Sequence, residues 1–368
     1  MTLELYIRLF VYTAAAFILI YVVQIPFRKI GNRLVKALLF LLKTVGTLFF
    51  GLILIAFDFA VVWRHEYIFG ALYLALLPDV FMDIVAFLVT LFKKGKEKKS
   101  IKLIITCLLT MIFTVYNVVN MQTIKADFHT VSSSKLKQAY RLAFFADLHY
   151  GSSQSQKTVD DALADIVRQA PDYLLLVGDI TDENTTKEEM EYIYQKIGSL
   201  DIPTYFIYGN HDRQERSIEK YESQNYTEKE LEDAITGNGI TILYEDYVKI
   251  NDDLIFLGRE DPSHPEERKA VKDLPVLPRE CYIVSLDHTP YQNDEIRELK
   301  ADLQFSGHTH AAQFFPIQTV YRLIGLNTCG EYRVGDTLLY ITPGISGWAL
   351  PLRSEAHSCY EIFDLLPE

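Results

Sequence analysis

PTYFIYGNHD, residues 203–212, changes character halfway along. Its first six residues are mostly aromatic and β-branched, the composition of a buried strand, and its last four are the Gly, Asn, His and Asp of a tight polar loop. The same change occurs in RLAFFADLHYG (141–151) and DYLLLVGDIT (172–181), and again in YIVSLDHTP (282–290) and DLQFSGHTH (302–310). Between these runs, QKTVDDALADIVRQA (156–170) and TKEEMEYIYQKIGS (186–199) carry the helical period. Strands alternating with helices predict an α/β arrangement. In such sheets sites form at the carboxyl ends of strands, which is where these polar clusters fall.

The chain has nine histidines. Five of them, His149, His211, His288, His308 and His310, sit at these strand ends, with Asp147, Asp179, Asn210 and Asp212 beside them. Imidazoles mixed with carboxylates are the ligand set of Zn, Mn and Fe rather than of Ca or Mg alone. The supply exceeds one tetrahedral site and suits two divalent metal ions, Mn, Fe or Zn, about 3.5–4 Å apart and sharing a carboxylate. Along an extended segment residues i and i+2 point the same way, so His308 and His310 are expected to reach toward a common centre. Gly307 is expected to let the backbone turn sharply beside them.

Charge divides the chain of 368 residues. Residues 1–125 hold 14 Lys+Arg against 6 Asp+Glu, net +8, and residues 126–368 hold 22 against 42, net −20. The acidic part lacks the dense basic patch that tight binding to a nucleic-acid polymer requires, so no such partner is expected. If it handles phosphate, bound metal must supply the positive charge. The four cysteines are far apart and form no CxxC, which gives neither a disulfide framework nor a zinc knuckle.

Four apolar runs fill residues 1–121, at roughly 9–25, 37–57, 67–92 and 103–120. Each approaches or exceeds the roughly 20 residues a helix needs to cross a bilayer, so four transmembrane helices are predicted. The loop after the first run carries Arg28, Lys29, Arg33 and Lys36, and the loop after the third, KKGKEKKSIK (93–102), carries six lysines against one glutamate. The positive-inside bias places both in the cytoplasm. Both termini then face outward, giving a multi-pass cell-membrane protein with its acidic part outside the cytoplasm. Asp79 and Asp83 are expensive in lipid and mark either a polar pathway or, the preferred reading, a helix end near Pro78. Residues 122–139 lose the apolar run and read as a linker.

DLH, GD, GNHD, DH and GHTH, in that order and at these spacings, resemble the calcineurin-like metallophosphoesterase family across about residues 140–368. The resemblance implies a four-layer α/β/β/α sandwich, two mixed sheets flanked by helices with the metals at one end, here preceded by the four-helix transmembrane region. It implies that one metal takes Asp147, His149 and His310, that the second takes Asn210, His288 and His308, and that Asp179 bridges. By the same resemblance His211 faces the substrate, stabilising the phosphoryl transition state or protonating the leaving oxygen. Asp212 orients His211, and the attacking group is a metal-bridging hydroxide.

The tail YITPGISGWALPLRSEAHSCYEIFDL (340–365) resembles the membrane-associated bacterial branch of that family, which is similar to UDP-diacylglucosamine pyrophosphohydrolases and transmembrane metallophosphoesterases. One departure is GHTHAAQ, where Ala311 and Ala312 replace two glycines and narrow the space beside the substrate. Arg353 is a candidate contact to a substrate phosphate, with a surface salt bridge as the alternative. His129, His65, His264 and His357 read as linker or loop residues. The expectation is a membrane-anchored phosphoesterase acting on a phosphodiester, pyrophosphate or phosphomonoester, lipid-linked because the anchor keeps the site near headgroups. The alternatives are a membrane sensor or scaffold without activity, and a cytoplasm-facing nucleotide phosphodiesterase.

Overall fold

In the computed structural model, residues 62–92, 99–215, 223–348 and 350–368 are described, together with positions 12, 13, 16, 18, 20 and 35. The chain divides into two compact units: Met1–Val119 with Phe314–Ile317, and Asn120–Gln313 with Gln318–Glu368.

The first unit contains helix α1, Val62–Phe92, and most of helix α2, Lys99–Gln122. Among the described residues one segment, Ile101–Gln122, is long and apolar enough to cross a membrane. Its apolar side chains are turned outward rather than packed, Ile104, Ile112, Val115 and Val119 all being more than half exposed. The run at 37–57 and all but a few positions of the run at 9–25 lie outside the described residues. Pro78 does not mark a helix end, because it lies inside α1. Asp83 instead pairs with Lys102 of α2, which neutralises a charge that lipid would not tolerate alone.

The second unit carries two six-stranded mixed sheets. The first is built from β1 (Lys125–Ser133), β2 (Tyr140–Phe145), β3 (Tyr173–Val177), β4 (Thr204–Ile207), β5 (Thr241–Ile242) and β12 (Cys359–Pro367), in the order β1-β12-β2-β3-β4-β5. The second contains β6 (Asp246–Lys249), β7 (Leu254–Gly258), β8 (Tyr282–Leu286), β9 (Leu303–Ser306), β10 (Gly330–Val334) and β11 (Thr337–Ile341), in the order β10-β11-β9-β8-β7-β6. Strands β2, β3 and β4 run parallel, as do β7, β8 and β9.

Alternation along the strands sorts side chains between layers. Leu142 and Phe144 of β2 turn to the other sheet, where Phe144 stacks on Phe305 with ring centroids 4.1 Å apart. Ala143 and Phe145 turn the opposite way, onto Val159 and Leu163 of α3 (Gln156–Arg168) and Met190 and Ile193 of α4 (Lys187–Gly198). Leu231 and Ile235 of α5 (Glu228–Gly237) complete that layer. On the outer face of the second sheet, Ile255, Ile283 and Ile341 meet Leu274 and the Ile296 and Leu299 side chains of α6 (Asn293–Leu299). Helices, sheet, sheet and helix make the four layers.

Residues 125–133, which the sequence places in a linker, form β1 and pair parallel with β12 over all nine positions. The reason is on the strand itself: His129 stacks on Phe363 and packs against Tyr340, so alternate residues are half-buried without an apolar run to announce them. Residues ahead of β1 are also tied down. The Met121 carbonyl accepts from Gln154 and Ser358, and the Asn120 amide donates to the carbonyls of Arg353 and Ala356.

A candidate metal centre at the strand ends

Three adjacent parallel strands of one sheet and two of the other deliver the polar clusters to one place. Asp147 and His149 follow β2, Asp179 follows β3, Asn210 and His211 follow β4, His288 follows β8, and His308 and His310 follow β9. Five of these residues leave their strands with left-handed backbone: Asp147 (φ 58°), His149 (φ 44°), Asp179 (φ 54°), His308 (φ 70°) and His310 (φ 48°). Residues other than glycine adopt that region at a cost and mostly where surroundings enforce it. Here the loops hold one another. The Asp147 and His149 amides donate to the carbonyls of Gly178 and Asp179. The His308 amide donates to the Asp147 carboxylate, and the His211 amide to Asp179 Oδ1, at 2.8 Å.

Two triads result. Asp147, His149 and His310 bring ligand atoms within 4.8 Å of one another, and so do Asp179, His288 and His308. The triads adjoin: His288 Nε2 lies 3.0 Å from Asp179 Oδ2 and 3.8 Å from Asp147 Oδ1, and Asp179 Oδ2 is also 3.9 Å from His149 Nε2. Asn210 joins the second set, its Oδ1 being 2.8 Å from His308 Nδ1. All seven expected ligands therefore converge. His288 donates from Nδ1 to the Val177 carbonyl at 2.8 Å, which aims Nε2 inward. That Nε2 is buried without an aligned hydrogen bond although an Asp179 oxygen is 3.0 Å away, and the Asn210 amide nitrogen is also buried without a partner. A close cluster of imidazole and carboxylate atoms that leaves a buried ring nitrogen without an aligned partner fits a bound cation.

The electrostatics divide the ligand set. Burial would lift the Asp179 carboxyl, but His288 and His211 outweigh it and hold it well below the usual carboxylate range. Burial lifts Asp147. His310 is pushed well below the ordinary imidazole range by burial and by neighbouring His149. His308 is pushed down to about 4 by burial and by His288. Against burial, Asp179 holds His288 well above the ordinary imidazole range and Asp182 lifts His149, so a bound cation would have to displace protons from those two rings while finding His308 and His310 neutral.

Several residues do not do what the sequence leads one to expect. Asp212 does not orient His211. Its buried carboxylate accepts from the backbone amides of Asp179, Ile180, Thr181 and Gly209, and so pins the two loops together. His211 is held by Glu183, whose carboxylate lies 2.8–2.9 Å from Nδ1. Asp182, the residue before it, lies 3.4 Å from His149 Nδ1. Both were legible only as acidic residues following the GD pair in GDITDE. Arg353 contacts no phosphate position. It is fully buried and donates to the carbonyls of Pro343, Gly344, Ser346 and His357. Ser346 O in turn lies 3.4 Å from His310 Nδ1. His308 and His310 reach separate triads through a turn, not through strand alternation. Gly307 is needed for close approach: a Cβ there would lie 2.5 Å from Ala146 Cβ and 2.7 Å from Asp147 Oδ2. Trp348 and Tyr291 flank the centre, 6.5 Å from the His211 ring and 6.1 Å from the His308 ring.

Comparison with known proteins bears on this geometry. The family described as calcineurin-like phosphoesterase matches residues 140–312. A transmembrane protein with metallophosphoesterase domain from Danio rerio is 25% identical over 281 residues, covering 69% of this chain and 60% of that protein. An uncharacterized metallophosphoesterase of Helicobacter pylori is 28% identical over 249 residues, covering 64% of this chain and 62% of that protein. The phosphodiesterase YaeI of Escherichia coli is 27% identical over 212 residues, covering 54% and 74%. The chain thus spans only about three fifths of the first two relatives. The matched segment, residues 140–312, holds every residue of both triads, and over that segment the chain is similar to the calcineurin-like phosphoesterase family.

Proposed function

We propose that this chain is a membrane-associated, metal-dependent phosphoester hydrolase whose substrate is a phosphodiester, pyrophosphate or phosphomonoester, lipid-linked in its natural form. The observation that carries the reading is the pair of adjoining Asp/His triads with His211 beside them. When bound, two divalent ions would supply positive charge to a phosphoryl oxygen and a nucleophilic hydroxide near neutral pH. Asp147, His149 and His310 would hold one ion and His288, His308 and Asn210 the other, with Asp179 between them.

The remaining chemistry belongs to the protein. Glu183 fixes the His211 ring through Nδ1, which directs Nε2 to the opposite edge. There His211 would hydrogen-bond a phosphoryl oxygen or give a proton to the leaving oxygen. The left-handed backbone at five ligands keeps the centre preorganised, so little rearrangement accompanies binding. The name of the Escherichia coli relative supports the diester reading. The names of the animal relatives and the outward apolar face of α2 support membrane association.

The test is hydrolysis of an aryl phosphodiester and an aryl phosphomonoester by metal-stripped protein with Mn, Zn or Mg restored. Turnover should return with metal, and His211→Ala should lose it by roughly 10²–10⁴-fold while still binding metal. Metal-independent turnover, or an undiminished alanine variant, would sink the assignment. A preference for dispersed phospholipid or lipid pyrophosphate over soluble nucleotides separates the lipid reading from the nucleotide one.

A further inference from the structure

A third set of ligand atoms stands outside the strand-end centre. Asp127 on β1, and His357 and Cys359 at the start of β12, place a carboxylate oxygen, an imidazole nitrogen and a thiol within 4.8 Å of one another. Strand pairing builds it. Lys125 is level with Cys359 and Asp127 with Glu361, while His357 lies two residues ahead of Cys359, just before β12 begins. His357 Nε2 is 3.0 Å from one Asp127 oxygen and 2.9 Å from the other. The Cys359 thiol is buried and donates to Glu361 Oε1 at 3.2 Å.

A row of partners supports this set from behind. Glu361 is fully buried, yet it accepts from Thr342 at 2.8 Å, from Tyr340 at 3.1 Å, and meets His129 Nε2 at 2.9 Å. Among the described residues the cations paired with Asp127 and Glu361 are imidazoles alone, with no lysine or arginine bridge. The cluster therefore holds two carboxylates and a thiol with no lysine or arginine paired to the carboxylates, Arg353 bonding instead to the His357 carbonyl, while Asp127 and His357, each about one third exposed, leave it open to solvent. Groups held by neighbours and facing one another across a few ångströms are how proteins prepare a metal site.

We infer that Asp127, His357 and Cys359 bind one thiophilic divalent cation of the zinc class, separate from the strand-end pair. One thiolate, one imidazole and one carboxylate suit Zn or Co and exclude Mg and Ca. A tetrahedral ion leaves its fourth position to water. On binding, the Cys359 S–H proton passes to solvent and a sulfur–metal bond replaces the hydrogen bond to Glu361. The site also has a mechanical consequence. Arg353 donates to the His357 carbonyl at 3.0 Å and to the Ser346 carbonyl, the same carbonyl that faces His310. An ion at His357 would fix the loop that backs one ligand of the strand-end centre.

The test is a Co(II) titration of the metal-stripped, full-length protein in detergent. The strand-end triads contain no sulfur, so a thiolate-to-cobalt charge-transfer band in the near ultraviolet reports the outer site alone, whether or not the inner pair loads. The band should appear with one more equivalent of bound metal than the inner pair takes. His357→Ala and Asp127→Asn, at half-exposed positions, should lose it, while Cys107→Ser, Cys281→Ser and Cys329→Ser keep it. Absence of the band from natively folded protein would overturn the inference. So would a band that survives both the His357 and the Asp127 variants, since the ion would then sit on another thiol.

Discussion

At the scale of the residue, Asp212 and Glu183 exchange the parts that their positions suggest. Asp212 is adjacent to His211 in sequence, but the imidazole is turned to Glu183, 28 residues upstream. Glu183→Gln should therefore lower kcat roughly 10–100-fold, the usual effect of removing an outer partner of a functional histidine, with the thermal midpoint little changed. Asp212→Asn should do the reverse. An amide cannot accept from four backbone amides, and the donors it strands cost about 2–4 kcal/mol of stability. Burial and the neighbouring Asp179 also push the Asp212 carboxyl up to about 6 from its ordinary 3.8, against the downward pull of those amides. Between those pH values the fold keeps a proton that the unfolded chain has released, so this group's contribution falls as pH rises across the window. Denaturant unfolding of metal-free protein should show wild type losing stability relative to the asparagine variant from about pH 4 to 6, and no further above it. A flat difference across that window would refute the assignment.

Legibility follows the same division. The seven candidate ligands that converge could be picked out together because each follows an apolar run, and type and place together suggest the chemistry. What His308 and His310 share is a destination, yet the sequence gives the wrong route to it, because left-handed backbone at histidine and alanine has no compositional signal. Arg353 was illegible for a related reason. Its guanidinium fills the turn with carbonyl contacts from residues near it in sequence, and nothing about an arginine in a polar tail marks it as buried.

At the scale of the element, strands that alternate apolar and polar residues between two cores were plain, and the edge strand was not. β1 reads KADFHTVSS, with no apolar face, and is held by register and by His129 against Phe363. It nevertheless covers the full length of β12, leaving that strand without a free edge. A chain beginning at residue 134 should consequently be less stable than one beginning at residue 120 by at least roughly 2 kcal/mol, a fall of roughly 4–8 °C for a domain of this size. It should also associate through the uncovered β12. Differential scanning calorimetry with light scattering on the two truncations checks this, and equal midpoints with no association would reduce β1 to an ornament of the sheet.

At the scale of the whole molecule, the charge asymmetry and the apolar N-terminal third make one claim about orientation. The acidic part carries net −20 and the N-terminal part net +8. The positive residues of the latter concentrate in the segments after the first and third apolar runs, while DFAVVWRHE between the second and third is not net basic. Lysine and arginine in short loops are retained on the cytoplasmic side. If all four apolar runs cross the bilayer, that retention would send the domain built from Asn120 onward out of the cytoplasm. A reporter that is active only outside the cytoplasm, fused after Glu368, should then be active, and a cytoplasmic reporter at the same point should be silent. Replacing Lys93, Lys94, Lys96, Lys98 and Lys99 by glutamine should weaken that preference, because it removes five of the six lysines from the most basic loop. The opposite pattern in the unmutated chain would place the domain inside the cell, and soluble nucleotides rather than lipid-linked phosphates would become the substrates to test.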